Sequence, residues 1–127
     1  MLFSQNELDN IKREMTKLKD KISLKLFTDF KTQEDGSKLR RCMACEGTYE
    51  LLKTLEDVSA GKLRIEEYST EENEEDAKKY DIARIPSILF VGKEENVVIK
   101  YSATPAGAEL APFLKSLQYF SGVSPYY

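Results

Sequence analysis

The stretch "SLKLFTDF", residues 23–30, constrains this chain most. Leu24, Leu26, Thr28 and Phe30 alternate with Lys25, Phe27 and Asp29, the period of a β-strand. A strand with one wet face carries polar residues at every second position. Phe27 breaks that pattern, so both faces need cover, as in a central strand of a layered α/β sheet.

The flanking segments supply that cover. Residues 4–21 read as a helix, opened by a capping box in which Ser4 and Glu7 each satisfy a backbone N–H of the first turn. Leu8, Ile11, Met15, Leu18 and Ile22 recur at helical spacing on one face, suited to packing on the core. "KTQEDGSKLRR", residues 31–41, is polar, contains Asp-Gly-Ser and reads as a loop. "MACEGTYELLKTLEDVSAG" follows as a helix, with Tyr49, Leu52, Leu55 and Val58 on its apolar face and Gly61 as its stop. "KLRIEEYS", residues 62–69, is a second strand. Ser69 and Glu72 form another capping box, opening the short helix "TEENEEDAKKYD", whose acidic start and Lys78–Lys79 end suit the helix dipole. Its acidic run, 71–76, reads as a solvated face.

"IARIPSILFV", residues 82–91, is a strongly apolar strand with Pro86 inside it. "GKEEN" reads as a hairpin turn into the strand "NVVIKYSA". A last helix, "TPAGAELAPFLKSLQYF", has Thr104 as its cap, Pro105 at its first position and Pro112 inside it, where a bend is expected. Residues 122–127 are expected to form a flexible tail. The β-α-β crossover feeds a parallel pair and the hairpin adds an antiparallel strand. The expected fold class is α/β: one domain over 1–127, with a four-stranded mixed sheet flanked by helices and an extra helix at the N-terminal side.

Composition narrows the function classes. The 127 residues are 41% hydrophobic and 32% charged, with a net charge of −3, which gives no basic footprint for nucleic acid. No apolar run approaches the roughly 20 residues that span a bilayer. "MLFSQNELDNIKREM" lacks the basic n-region, apolar h-region and cleavage site of a signal peptide. A cytoplasmic protein with no membrane or nucleic-acid partner is expected.

Both cysteines lie in "RRCMAC", residues 40–45. Three readings compete: a redox dithiol, half of a metal site, or a pair of small buried hydrophobes. A bond between Cys42 and Cys45 would close a tiny loop and constrain the unfolded chain little, so it suits being made and broken rather than stapling. A structural zinc needs four ligands, and the chain has no histidine and no second cysteine pair. Only a symmetric dimer sharing two such motifs completes that set, so no metal is expected.

A strand, a CxxC opening a helix, a βα unit and then an apolar-Pro-apolar hairpin resemble the thioredoxin fold. The resemblance rests on Cys42-Met-Ala-Cys45 after "LKLFTDF", on "RIPSILF" with Pro86 about 41 residues after Cys45, on "VVIKYSATPAGAEL" as last strand, turn and helix, and on the extra first helix. Within that superfamily the wording "KYDIARIPS" and "PAGAE" is similar to one unit of the glutaredoxin-like protein disulfide oxidoreductases of archaea and thermophilic bacteria. The likeness covers roughly residues 5–121. Those proteins carry two such units, so this chain stands as a lone unit, a piece of a two-unit protein, or a subunit that pairs as a homodimer. It also departs in its long 31–41 loop, in Arg41 where thioredoxins have tryptophan, and in Met-Ala where they have Gly-Pro.

The resemblance implies roles. Cys42, at a helix N-terminus where the dipole and free N–H groups favour a thiolate, is the nucleophile, and Cys45 resolves the mixed disulfide. Pro86 is expected to be cis and to face the CxxC, leaving the backbone of Ile85 to pair with an extended substrate. Arg40 and Arg41 are expected to lower the pKa of Cys42 and make the disulfide more oxidising. Asp29, or as an outside candidate Glu67, is a proton relay for the resolving thiol. The implied function is a thiol–disulfide oxidoreductase of cell redox homeostasis and electron transport. It needs no cofactor beyond the Cys42–Cys45 pair, and its partners are protein disulfide substrates and a reductase or dithiol donor. The alternative is a non-catalytic thioredoxin-fold module, or a subunit of a larger redox assembly, docking through the 4–21 helix.

Overall fold

A computed structural model describes residues 3–91, 97–102 and 109–120. The expected "GKEEN" turn, the Thr104 and Pro105 cap, the "PAGA" segment and the 122–127 tail lie outside the described residues. The elements run α1 (Gln5–Met15), β1 (Ile22–Thr28), β2 (Lys31–Thr32), β3 (Lys38–Leu39), α2 (Met43–Val58), β4 (Leu63–Ser69), α3 (Glu74–Lys79), β5 (Ser87–Val91), β6 (Val97–Tyr101) and α4 (Leu110–Phe120).

The main sheet has the order β4-β1-β5-β6. β1 is central, parallel to β4 and antiparallel to β5, and β6 is antiparallel to β5. The two faces of β1 are buried by different partners. Leu24 and Leu26 lie with Ile88, Phe90, Leu52, Leu55, Phe113 and Leu117 in the larger core. Phe27 faces the other way, with Leu89 and Tyr80. Its ring stacks on Tyr68 at 5.2 Å and meets Tyr80 edge-on at 6.1 Å, geometries that suit aromatic quadrupoles.

The capping box of α1 forms as expected, Ser4 and Glu7 exchanging both hydrogen bonds. The helix nevertheless stops at Met15, not residue 21. The Thr16 hydroxyl donates to the Arg13 carbonyl, and tight turns close from Lys17 to Glu14 and from Leu18 to Met15. Lys62 then donates to the carbonyls of Leu18 and Lys19. Leu18 and Ile22 keep helical spacing in sequence, but they reach the core from a turn and from the start of β1. Ile11 and Met15 are buried there too, so the apolar face of α1 packs inside the domain.

Four further segments differ from the sequence reading. Residues 31–41 hold a small two-stranded sheet, Lys31 opposite Leu39 and Thr32 opposite Lys38. Its turn uses Gly36 at φ 87°, a left-handed conformation that glycine adopts freely. α3 begins at Glu74, because Ser69 ends β4 and spends its hydroxyl on the Phe30 carbonyl and the N–H groups of Glu71 and Glu72. The Glu72 carboxylate accepts instead from the backbone and hydroxyl of Thr32, which holds its carboxyl below the usual range. Pro86 stands just ahead of β5 rather than inside it. Pro112 is the third residue of α4, in the first turn, where a missing N–H is tolerated.

α2 is tied to β4 by Glu56, which accepts from the Ile65 N–H at 2.7 Å and pairs with Lys53. Burial pushes its carboxyl up, but Lys53 and the Ile65 N–H outweigh that and hold it below the usual 4.5. A depressed folded-state value contributes stability above the unfolded value and loses it as pH falls through the depressed one. The stability gap between wild type and Glu56→Ala is therefore expected at neutral pH and to narrow as pH falls below the usual 4.5, read by urea unfolding at stepped pH. Phe27→Ala is expected to cost about 3–5 kcal/mol in the same assay at pH 7, because both aromatic contacts and the fill beneath α3 are lost.

Candidate active site

Cys42 is the N-cap of α2, with extended backbone at φ −67° and ψ 128°. Its sulfur accepts the Cys45 N–H at 3.1 Å, so the helix's free donor points at the sulfur that would carry charge. Cys42 and Cys45 are joined as a disulfide, with their Cα atoms 5.1 Å apart. The two ends differ in access: Cys45 is fully buried and Cys42 half-buried. Between them Met43 is 96% exposed, a bare apolar side chain on the lip of the site.

The backbone entering Cys42 is held by Asp29, just past the end of β1. Its Oδ1 accepts the N–H of Arg41 at 3.0 Å and of Cys42 at 3.1 Å. This carboxylate fixes the approach to the motif. The Ile85–Pro86 bond is cis. β1 and β5 pair Phe27 with Ser87, so Thr28 and Pro86 stand one register step further along. That places Pro86, buried, and Ile85, half-buried, at the end of the sheet from which Asp29 holds Cys42.

The two arginines do not point their guanidinium hydrogen bonds at sulfur. Arg40 forks onto Glu67, Nε to Oε2 at 2.8 Å and the second nitrogen to Oε1 at 2.6 Å. It also donates to Glu46 at 3.1 Å and stacks over the Tyr49 ring at 3.7 Å. Both side chains of the fork are buried, Arg40 at 6% exposure and Glu67 at 3%. Glu67 further accepts from the Thr28 hydroxyl at 2.7 Å and has Lys38 at 3.7 Å. Arg41, half-exposed, pairs with Glu71. Both arginines, expected beside the sulfur of Cys42, are paired with carboxylates. Sequence reasoning named Glu67 only as an outside candidate and missed Glu46, Tyr49 and Lys38. Their shared signal was position: Glu46 and Tyr49 lie on the first turns of α2, and Glu67 faces the same side of the sheet.

Among the described residues no group of acidic, cysteine or histidine side chains is disposed to hold a metal ion, and no helix is long and apolar enough to cross a membrane.

Neither a family model nor a curated protein matches the chain. Solved structures do. A protein disulfide oxidoreductase from Aeropyrum pernix K1 superposes with a TM-score of 0.75 at 20% identity, covering 97% of this chain and 51% of that one. An alkylhydroperoxide reductase protein of Enterococcus faecalis gives 0.73 at 18% identity, covering 95% and 53%. Fasciola hepatica thioredoxin gives 0.58 at 17% identity, covering 87% and 91%. The chain has the thioredoxin fold. It spans about half the length of the first two proteins. In this thioredoxin fold the extra α1 and the β2–β3 hairpin flank the helix that carries the two cysteines.

Asp29→Ala is expected to cost about 1–3 kcal/mol in urea unfolding of the oxidised protein, because it strips an acceptor from two backbone N–H groups. Asp29→Asn, which keeps Oδ1, is expected to cost less.

Proposed function

We propose that the chain is a thiol–disulfide oxidoreductase that exchanges disulfides with protein substrates through Cys42 and Cys45. The observation that carries this reading is the asymmetric disulfide at the start of α2, with one sulfur reachable and the other buried. Two proteins of similar structure are a protein disulfide oxidoreductase and a thioredoxin, which supports this reading.

In the reductive direction the Cys42 thiolate attacks one sulfur of a substrate disulfide. A Cys42–substrate disulfide forms and the other substrate sulfur leaves as a thiolate, which takes up a proton. Cys45 then gives up its proton and attacks Cys42. The Cys42–Cys45 bond forms, the second substrate thiolate leaves, and two electrons have passed from the dithiol to the substrate. A dithiol donor or a reductase restores the starting state by the reverse exchange. Ile85, next to the cis bond, offers its backbone to an extended substrate, and Met43 gives that substrate an apolar contact. The competing reading of a docking module gains nothing from α1, whose apolar face is already packed in the core.

Wild type is expected to speed insulin reduction by dithiothreitol, and Cys42→Ser to fall to the uncatalysed background. Cys45→Ser is expected to accumulate a mixed disulfide visible on non-reducing gels. Turnover that survives Cys42→Ser overturns the proposal.

A further inference from the structure

The β2–β3 hairpin ends on a residue buried beside the redox motif. Arg40 is two positions before Cys42, yet its charge lies inside the protein, against Glu67 of β4 and Glu46 of α2. Glu46 directly follows Cys45, and Tyr49, one turn further along α2, backs the guanidinium. Two carboxylates therefore sit beside the first turn of α2, one of them buried. Arg40 joins them from the hairpin, with Lys38 as a longer second contact to Glu67.

A dithiol must take on negative charge when its disulfide is opened. Uncompensated carboxylates next to it would oppose that charge, the more so where water is excluded. We propose that Arg40 is a positioning residue of the redox site: from the end of the β2–β3 hairpin it pairs with both Glu67 and Glu46 and, with Lys38 as the second cation, offsets their charge, so that the charge developing on Cys42 meets a balanced environment instead of an acidic one. The proposal rests on the dithiol reading above.

Asp29 is bonded to the backbone of Arg41 and Cys42, and Arg41 is paired with Glu71. Burial alone would loosen the proton of Arg40. Its hydrogen bonds and attraction to Glu67, then to Glu46, outweigh that and keep the guanidinium charged more firmly than usual. The balancing charge is thus constant across the range in which thiols titrate. The fork geometry also suits arginine better than lysine, since both nitrogens reach both oxygens of one carboxylate.

The test is the pH profile of iodoacetamide alkylation of Cys42 in the reduced protein, which needs thiols but no turnover. Arg40→Met is expected to move the midpoint up by about one pH unit, roughly ten-fold slower alkylation at pH 7. Arg40→Met combined with Glu67→Gln also lacks the clamp but carries one buried charge fewer, and its midpoint is expected to return towards wild type. Glu67→Gln alone, a near-isosteric change that keeps the fold if Arg40→Met does not, is expected to lower the midpoint. Equal shifts for Arg40→Met and the double variant point to lost packing alone and overturn the proposal. So does an unmoved midpoint in Glu67→Gln. Insulin reduction in the wild type reads the parent function separately: an inactive protein with the expected alkylation shifts refutes the enzyme reading and leaves the charge balance standing.

Discussion

Burial of β1 on both faces is the constraint on which the rest of the structure depends. Leu24 and Leu26 require α1, α2 and α4 on one side, and Phe27 requires Tyr68, Tyr80 and α3 on the other. Each such side chain contributes about 1.5–3 kcal/mol when taken out of water, and a slip of one residue would exchange the two sets of partners. The register with β4 and β5 is therefore fixed, and with it the end of the strand. Asp29 emerges there to hold the turn into Cys42, and Pro86 lies one step beyond the last pair with β5. The end of the molecule that carries the cysteines is positioned by a core beneath it.

Around that end, charge is balanced locally. A buried ion pair gains little net stability over an apolar replacement, while removing one partner alone is costly, about 3–5 kcal/mol. The fork between Arg40 and Glu67 is thus better understood through what it does to its surroundings than as a source of stability. It joins a surface hairpin, an edge strand and the helix of the cysteines through one rigid planar group. Among the described residues no buried side-chain nitrogen or oxygen lacks a partner, so the polar cluster is complete.

The elements legible in the sequence were those written in local pattern. The alternation of β1, the periodicity of α2 and the apolar run after Pro86 each state their structure within a dozen residues, and the spacing of Cys42 and Cys45 marks the site. What could not be read depends on partners far along the chain. Arg40 looked like a neighbour of Cys42 because Glu67, which claims it, is 27 residues away on a strand whose own pattern is unremarkable. The β2–β3 strands are two residues each, too short for any periodicity, and only Asp35-Gly36 announced their turn. The end of α1 was hidden for the opposite reason. Leu18 and Ile22 keep helical spacing because the core demands them, although the backbone has left the helix.

The first and last described helices are joined across the fold. Gln118 of α4 donates to the Glu14 carbonyl of α1 at 3.0 Å, across 104 positions of sequence. Bringing such distant segments together costs more chain entropy than closing the short crossover from β1 through α2 to β4. The pairing of α1 with α4 therefore carries the larger closure cost, and the crossover that bears the cysteines the smaller one.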